Sequence, residues 1–401
     1  MGAGSATPSS GGRAPTPQEH GHSAGGDSPE RVGNTPQNTG SIARAIARVR
    51  RVVHGCALMD LLVFDHPSLE AHRSPAKHPE RPERVLAARS AVAQLPRRKV
   101  DRREAPAVTA DEARRAHEAA HVARILGLSE EIQDLDGDTY AGPGSREAAL
   151  RAAGGAAALG RALARGARRG FALARPPGHH AESDRAMGFC LLNNVAIAAR
   201  AAIDAGARRV AIVDWDAHHG NGTQEIFYDD PAVLFVSLHQ WPLYPGTGAP
   251  AEIGVGRGQG RTVNLAMPPG AGRPDYELAF HDVVLPVLEE HGPDVILLSA
   301  GYDGHLRDPL AELRLEEPAY HALTHEIVAL AERRDAGLGI VLEGGYDLEA
   351  LEQSLFATLA SACGQSVRVP RDARGASEPA RRSIDLTRGA LAPHWSALAH
   401  R

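Results

Sequence analysis

The stretch Val210-Ala-Ile-Val-Asp-Trp-Asp-Ala-His-His-Gly-Asn-Gly-Thr223 decides the fold. Its first four residues are apolar and rich in β-branched side chains, too short for a buried helix, and read as a strand covered on both faces. A dense group of carboxylates and imidazoles follows at once, then Gly and Asn to turn the chain into the next helix. A parallel sheet collects its ligands at the carboxyl ends of its strands, and this segment has that form.

Working outward, similar runs occur at 61–64, 170–174, 233–238, 295–300 and 339–342. Alanine-rich stretches of helical character lie at 82–95, 146–165, 195–205, 276–290, 318–333 and 348–362. Strands alternating with helices, the strands almost wholly apolar, predict an α/β fold of three layers: a mostly parallel sheet with helices on both faces. No internal repeat is present.

At 401 residues the chain is too long for one small module, and with 43% apolar residues it can bury a sizeable core. The expected organisation is a disordered extension over 1–58, a catalytic domain over 59–366 and a loosely attached tail over 367–401. Residues 1–40 hold almost nothing large and apolar, so burial cannot offset the entropy of ordering them. Residues 41–54 are arginine-rich and read as a solvated basic stretch, and Met59, just before the first strand, is the expected start of translation. The tail mixes Arg, Pro and Ala without clear periodicity.

A formal net charge of −5 gives no electrostatic reason to bind nucleic acid, and no apolar run reaches the roughly 18 to 20 residues of a membrane span. Cys56, Cys190 and Cys363 are far apart with no CxxC, which suits the reducing cytoplasm and excludes a cysteine zinc site.

Four strand ends carry the chemistry. They are Arg175-Pro-Pro-Gly-His-His-Ala-Glu182, Asp214 to Thr223, Ser299-Ala-Gly-Tyr-Asp-Gly-His305 and Glu343-Gly-Gly-Tyr-Asp347. Residues two apart on extended backbone point the same way, so Asp216 and His218 can grip one cation, and Asp303 can join from a neighbouring strand end. Two carboxylates and one imidazole leave a fourth position open, as a catalytic zinc requires, and accept ferrous iron as well. A capping role would account for any one of these residues alone; their recurrence on successive strand ends favours the metal. Pro-Pro-Gly sets a rigid turn before His179 and His180, and Asp214 and Asn221 stand where each could accept a proton from one ring. Cys190 has nothing beside it to activate a thiolate and reads as packing.

These motifs, with His78-Pro-Glu-Arg-Pro-Glu-Arg84, Asp138-Thr-Tyr140, Gly188-Phe-Cys-Leu-Leu-Asn-Asn194 and Tyr244-Pro-Gly-Thr-Gly248, resemble the histone deacetylase and acetylpolyamine amidohydrolase family on its class II-like bacterial side. The resemblance covers about 61–364. It implies an arginase-like fold and zinc-dependent hydrolysis of an N-acetyl amide. It further implies Asp216, His218 and Asp303 as zinc ligands and His180 as general base and acid beside a charged His179. Tyr346 would donate to the developing oxyanion. Gly178 and Phe189 would line the acyl-lysine channel, with Arg84 in an inner cavity. A structural potassium ion would be held by Asp214, Ser237 and Leu238 together with the carbonyls of Asp216 and His218.

Arginases share that fold but hold two manganese ions, which needs a second aspartate where this chain has Asp303-Gly-His305. A non-catalytic acetyl-ligand binder or scaffold would be expected to lack the tyrosine or a ligand. Leu310 stands as an apolar gatekeeper and leans toward acetyl-lysine in proteins, the alternative being a small acetylated amine held by an acid at the rim, from Asp136, Asp138 or Glu182. The expected partners are that acetylated substrate and further copies of the chain in a homo-oligomer.

Overall fold

The computed structural model describes residues 61–365 and 375–399. The extension before Leu61, with the basic stretch and Met59, lies outside the described residues. Eight strands form one sheet: β1 (Leu61–Asp65), β2 (Val100–Glu104), β3 (Arg169–Ala172), β4 (Val210–Asp214), β5 (Val233–Gln240), β6 (Thr262–Met267), β7 (Val295–Ala300) and β8 (Gly337–Leu342). Their order across the sheet is β2-β1-β3-β8-β7-β4-β5-β6, and every pair is parallel. The expected mostly parallel sheet is therefore present.

Every residue of β4 to β8 is buried, which explains the near-continuous apolar runs of β4, β7 and β8. The edge strand β2 is half exposed and charged, so its sequence carries little strand signal. Helices α1 (Glu83–Ala93), α2 (Ser145–Ala164), α3 (Asn194–Asp204), α4 (Asn221–Phe227), α5 (Glu317–Arg334) and α6 (Leu348–Ala362) supply the flanking layers. Helices α2 and α3 pack closely because their contact face is Ala and Gly; a Cβ on Gly160 would lie 2.1 Å from Ala198 O. The helix expected over 276–290 runs from Arg273 to His291 but contains a π turn, Phe280–Val284, just before Pro286. Proline has no N–H for the regular ladder, and the π turn absorbs that loss.

The loosely attached tail is corrected by the structure. Glu378–Leu391 is a helix, α7, whose Ile384 and Leu391 are buried together with Trp395 and Leu398. It covers the edge strand β6: Thr387 Oγ1 donates to Asn264 O at 2.6 Å and Ser383 Oγ to Ala266 O at 2.5 Å. The apolar spacing was diluted by Ala380 and Thr387, small residues that serve as packing and edge-bonding positions here. No helix of the described residues is long and apolar enough to cross a membrane.

Candidate active site

Chain order separates the four chemistry-bearing strand ends, because β5 and β6 intervene. The sheet brings them together: β3, β8, β7 and β4 are neighbours, since β7 and β8 insert between β3 and β4. Register keeps the ends level, with Asp214 opposite Ser299 and Leu342 opposite Ala300.

Asp216, His218 and Asp303 offer ligand atoms that all lie within 4.8 Å of one another. His218 Nδ1 is 3.2 Å from Asp216 Oδ1 and 2.8 Å from Asp303 Oδ2. The backbone aims both carboxylates: Gly344 N donates to Asp216 Oδ2 at 2.8 Å, and Ala217 N donates to Asp303 Oδ1 at 2.8 Å. Two glycines make room. A Cβ on Gly301 would sit 2.0 Å from Asp216 Oδ2, and one on Gly344 would sit 2.5 Å from oxygens of Asp216 and Asp303. Burial works against charge on His218, yet Asp216 and Asp303 lift its imidazole to about 10. Burial, with Asp216 beside it, raises Asp303 to about 7. Converging N and O donors in so negative a field fit one divalent cation.

The histidine loop leaves β3 and is pinned by a residue the sequence reading gave no role. Glu343 Oε2 accepts from Gly178 N at 2.6 Å and His179 N at 3.1 Å, and Glu343 Oε1 accepts from Ser299 Oγ at 2.9 Å. His179 Nδ1 lies 3.0 Å from Asp214 Oδ2, and His180 Nδ1 lies 2.8 Å from Asn221 Oδ1. Both acceptors are the ones expected. Asn221 spends its amide nitrogen on Glu182 Oε1 at 2.7 Å, so its oxygen faces His180. The His180 Nδ1 must therefore carry the hydrogen, leaving Nε2 with a free lone pair. The two rings sit 4.0 Å apart in unlike fields. Burial opposes charge on His179, but Asp216 and Asp214 overcome it and raise the ring to about 10. Burial, then His179 and His218, push His180 well below the ordinary histidine value.

Above the cluster is a cavity of about 220 Å³ lined by His180, His218, Tyr346, Phe189, Tyr244 and Leu310 among others. The ring of Phe189 is 5.8 Å from that of Tyr346, and Tyr244 stands 5.2 Å from His180. Tyr244 was missed as a wall residue, although it begins the Tyr-Pro-Gly-Thr-Gly motif that the sequence displayed. Gly178 is not in the wall: it is buried beneath the histidines, where a Cβ would come 2.4 Å from Asn194 N. Gly188 takes the wall position instead, at φ +56°, with its absent Cβ 2.5 Å from the His180 ring. Phe189 follows at φ +68°, left-handed backbone that a bulky residue adopts only when its surroundings hold it there.

Arg84 is fully buried and its guanidinium is 5.0 Å from the Tyr346 ring. It donates to Gly345 O at 2.7 Å, to Glu80 Oε1 at 3.1 Å and to Glu343 O. Burial pushes the Tyr346 phenol well above the usual tyrosine range, so it keeps its hydrogen. Of the three rim acids, Asp138 lines the cavity; Asp136 accepts from backbone N–H groups of its own turn, and Glu182 turns inward to Asn221. Of the residues expected to hold potassium, Asp214 lies opposite Ser237 in register, and Ser237 Oγ also contacts His239 Nδ1 at 3.0 Å. Leu238 O accepts from Tyr276 OH at 3.5 Å. His305 points away from the cluster, its Nδ1 accepting from Arg307 N at 3.2 Å.

The sequence profile of the histone deacetylase domain matches residues 78–362. A probable deacetylase of Archaeoglobus fulgidus is 39% identical over 317 residues, 78% of this chain and 88% of that protein. The polyamine deacetylase HDAC10 of Homo sapiens is 37% identical over 358 residues, 84% of this chain but only 51% of that protein. Among solved structures, the HDA15 HD domain superposes with a TM-score of 0.78 at 36% identity, over 84% of this chain and 96% of that one.

Proposed function

The chain belongs to the histone deacetylase family, and from that premise we propose that it is a zinc-dependent amidohydrolase that removes acetyl groups from lysine side chains of proteins. The observation that carries this reading is the convergence of Asp216, His218 and Asp303 at the foot of a cavity that His180 and Tyr346 also line. When bound there, zinc supplies Lewis acidity, drawing electrons from the acetyl carbonyl and making the attacking water more acidic.

The chain's own residues then divide the proton work. His180, neutral and with Nε2 bare, takes the proton from water and returns it to the amine that leaves. His179, kept cationic by Asp214 and Asp216, offsets the negative charge that develops beside it. Tyr346 donates its hydroxyl hydrogen to the carbonyl oxygen as charge builds there. Phe189 and Tyr244 hold the aliphatic stem and exclude water. Arg84 backs the tyrosine loop and lies on the inner side, where acetate would leave. Potassium held near Asp214, Ser237 and Leu238 belongs to the same reading and would brace the strand ends. The buried thiol of Cys190 suits a reducing compartment such as the cytoplasm.

Leu310 in the cavity lining supports a peptide-borne acetyl-lysine. Asp138 in the same lining, together with the similarity to a polyamine deacetylase, supports a second reading, hydrolysis of a small acetylated polyamine. The test is kcat/KM of the zinc-loaded chain on an acetyl-lysine peptide and on acetylputrescine and acetylspermidine. The peptide is expected to win by at least about tenfold; a reversal would transfer the assignment to the polyamine. Undiminished amide cleavage after chelation, with no ion in the dialysed protein, would overturn the metal-dependent reading altogether.

A further inference from the structure

The loop that carries Tyr346 is glycine-rich and cannot hold itself: Gly345 sits at φ +116°, and Gly344 precedes it. Something outside the loop must therefore set the direction of the phenol. From one side Arg84 grips the carbonyl of Gly345 at 2.7 Å. From the other, Asp308 accepts the tyrosine's own amide: Tyr346 N donates to Asp308 Oδ2 at 2.7 Å, and Asp347 N donates to the same oxygen at 3.2 Å. Asp308 is 6% exposed and sits on the loop after β7.

Its other oxygen faces the opposite way and accepts from Leu310 N at 3.1 Å. A residue that merely shaped its own turn would need that oxygen alone, because a bond from two positions on closes the turn. Oδ2 does something else, reaching across 38 positions to the backbone of the tyrosine. Leu310 and Tyr346 both line the substrate cavity. One carboxylate thus fastens the rim residue and the hydroxyl-bearing residue to each other, and burying a carboxylate for this is expensive unless its oxygens are satisfied, as these are.

We propose that Asp308 is a positioning residue for Tyr346, one that sets where the phenol hydroxyl stands in the channel and ties that position to the rim at Leu310. The inference rests on the reading of Tyr346 as hydrogen donor to the reacting carbonyl. It assigns Asp308 no contact with substrate. Its effect on turnover passes through the tyrosine.

The experiment is a double-mutant cycle on the full zinc-loaded chain with an acetyl-lysine peptide, measuring kcat, KM, zinc content and melting temperature for Asp308→Asn, Tyr346→Phe and the pair. Asparagine has one oxygen for two directions, and its NH₂ must face a backbone N–H. Asp308→Asn is expected to lower kcat about ten- to a hundredfold, the scale of a catalytic group displaced by about an ångström, with KM changed less than about threefold and zinc retained. In the Tyr346→Phe background, where no hydroxyl remains to be placed, the same substitution is expected to change kcat less than about twofold. An equal loss in both backgrounds, or parent-like kcat in Asp308→Asn alone, would overturn the proposal. Parent-like kcat in Tyr346→Phe would instead overturn the role of the tyrosine, and this inference with it. Should Asp308→Asn not fold, Asp308→Glu, which keeps the charge and moves it by one methylene, runs through the same cycle with the same two outcomes.

Discussion

At the scale of single residues, the proposed chemistry rests on identical side chains being given unlike surroundings. His179 and His180 are chain neighbours with rings 4.0 Å apart, yet one faces Asp214 and Asp216 and the other faces the neutral oxygen of Asn221. One is held charged and the other neutral, the division an acid–base pair needs. On the proposed reading, replacing His180 by Ala, or Tyr346 by Phe, should lower kcat on an acetyl-lysine peptide by about a hundredfold or more while zinc stays bound, since neither is among the proposed ligands. Stopped assays read beside metal content would check this. A Gly301→Ala substitution should do the reverse and remove the metal, because the added methyl would stand 2.0 Å from Asp216 Oδ2; zinc retained at full stoichiometry would count against the assigned ligands. Residue identity alone pointed to Asp216, His218 and Asp303, to the histidine pair and to the tyrosine, which the fold brings to one cavity. It did not reveal Gly188, Glu343 or Asp308, because their parts depend on what lies across the fold from them: a missing Cβ against His180, a carboxylate under the histidine loop, a carboxylate behind the tyrosine.

At the scale of elements, strand identity followed burial. The fully covered strands β4 and β7 match the apolar runs residue for residue, whereas β2 and β6 passed unread. β2 is charged because its outer edge meets water, and β6 needs no such protection because α7 covers it. Hydroxyls of Thr387 and Ser383 satisfy carbonyls on the outer side of β6, so the carboxy-terminal helix caps an edge that would otherwise invite pairing with another chain. Thr387→Val should lower unfolding free energy by about 1 to 3 kcal/mol, the penalty of leaving a buried acceptor unmatched, with kcat unchanged. Urea titration followed by fluorescence would measure it, and an unchanged midpoint would show that α7 adds little.

For the whole molecule, stability should depend on acid through histidines outside the Asp216, His218 and Asp303 cluster. His117 accepts from Asn193 N at 2.8 Å and lies 2.9 Å from Glu182 O; His291 lies 3.1 Å from Val210 O and 3.2 Å from Arg261. Each uses both ring nitrogens while neutral. Burial, aided by His121 for the first and Arg261 for the second, depresses both to about 4 from an ordinary 6.5. A depressed folded value means that the unfolded chain takes up a proton between about pH 6.5 and pH 4 that the folded chain refuses. Stability is thus complete above pH 6.5 and drains away as pH falls through that window, by up to about 3 kcal/mol for each ring at pH 4. Urea midpoints at pH 7.5, 6 and 5 should fall in turn, and a His117→Gln, His291→Gln double variant should show a flatter profile; equal slopes would sink the assignment. Local order along the chain determined the alternation of strand and helix, the polar groups at strand ends and the Asp-x-Asp-x-His cluster, because periodicity and two-residue spacing act over a few neighbours. Only the tertiary structure decided that β7 and β8 slide between β3 and β4, that Glu343 and Asp308 steady the histidines and the tyrosine, and that the last helix seals an edge. Those outcomes depend on which distant backbones approach within hydrogen-bonding range, and that is settled by packing the whole sheet at once.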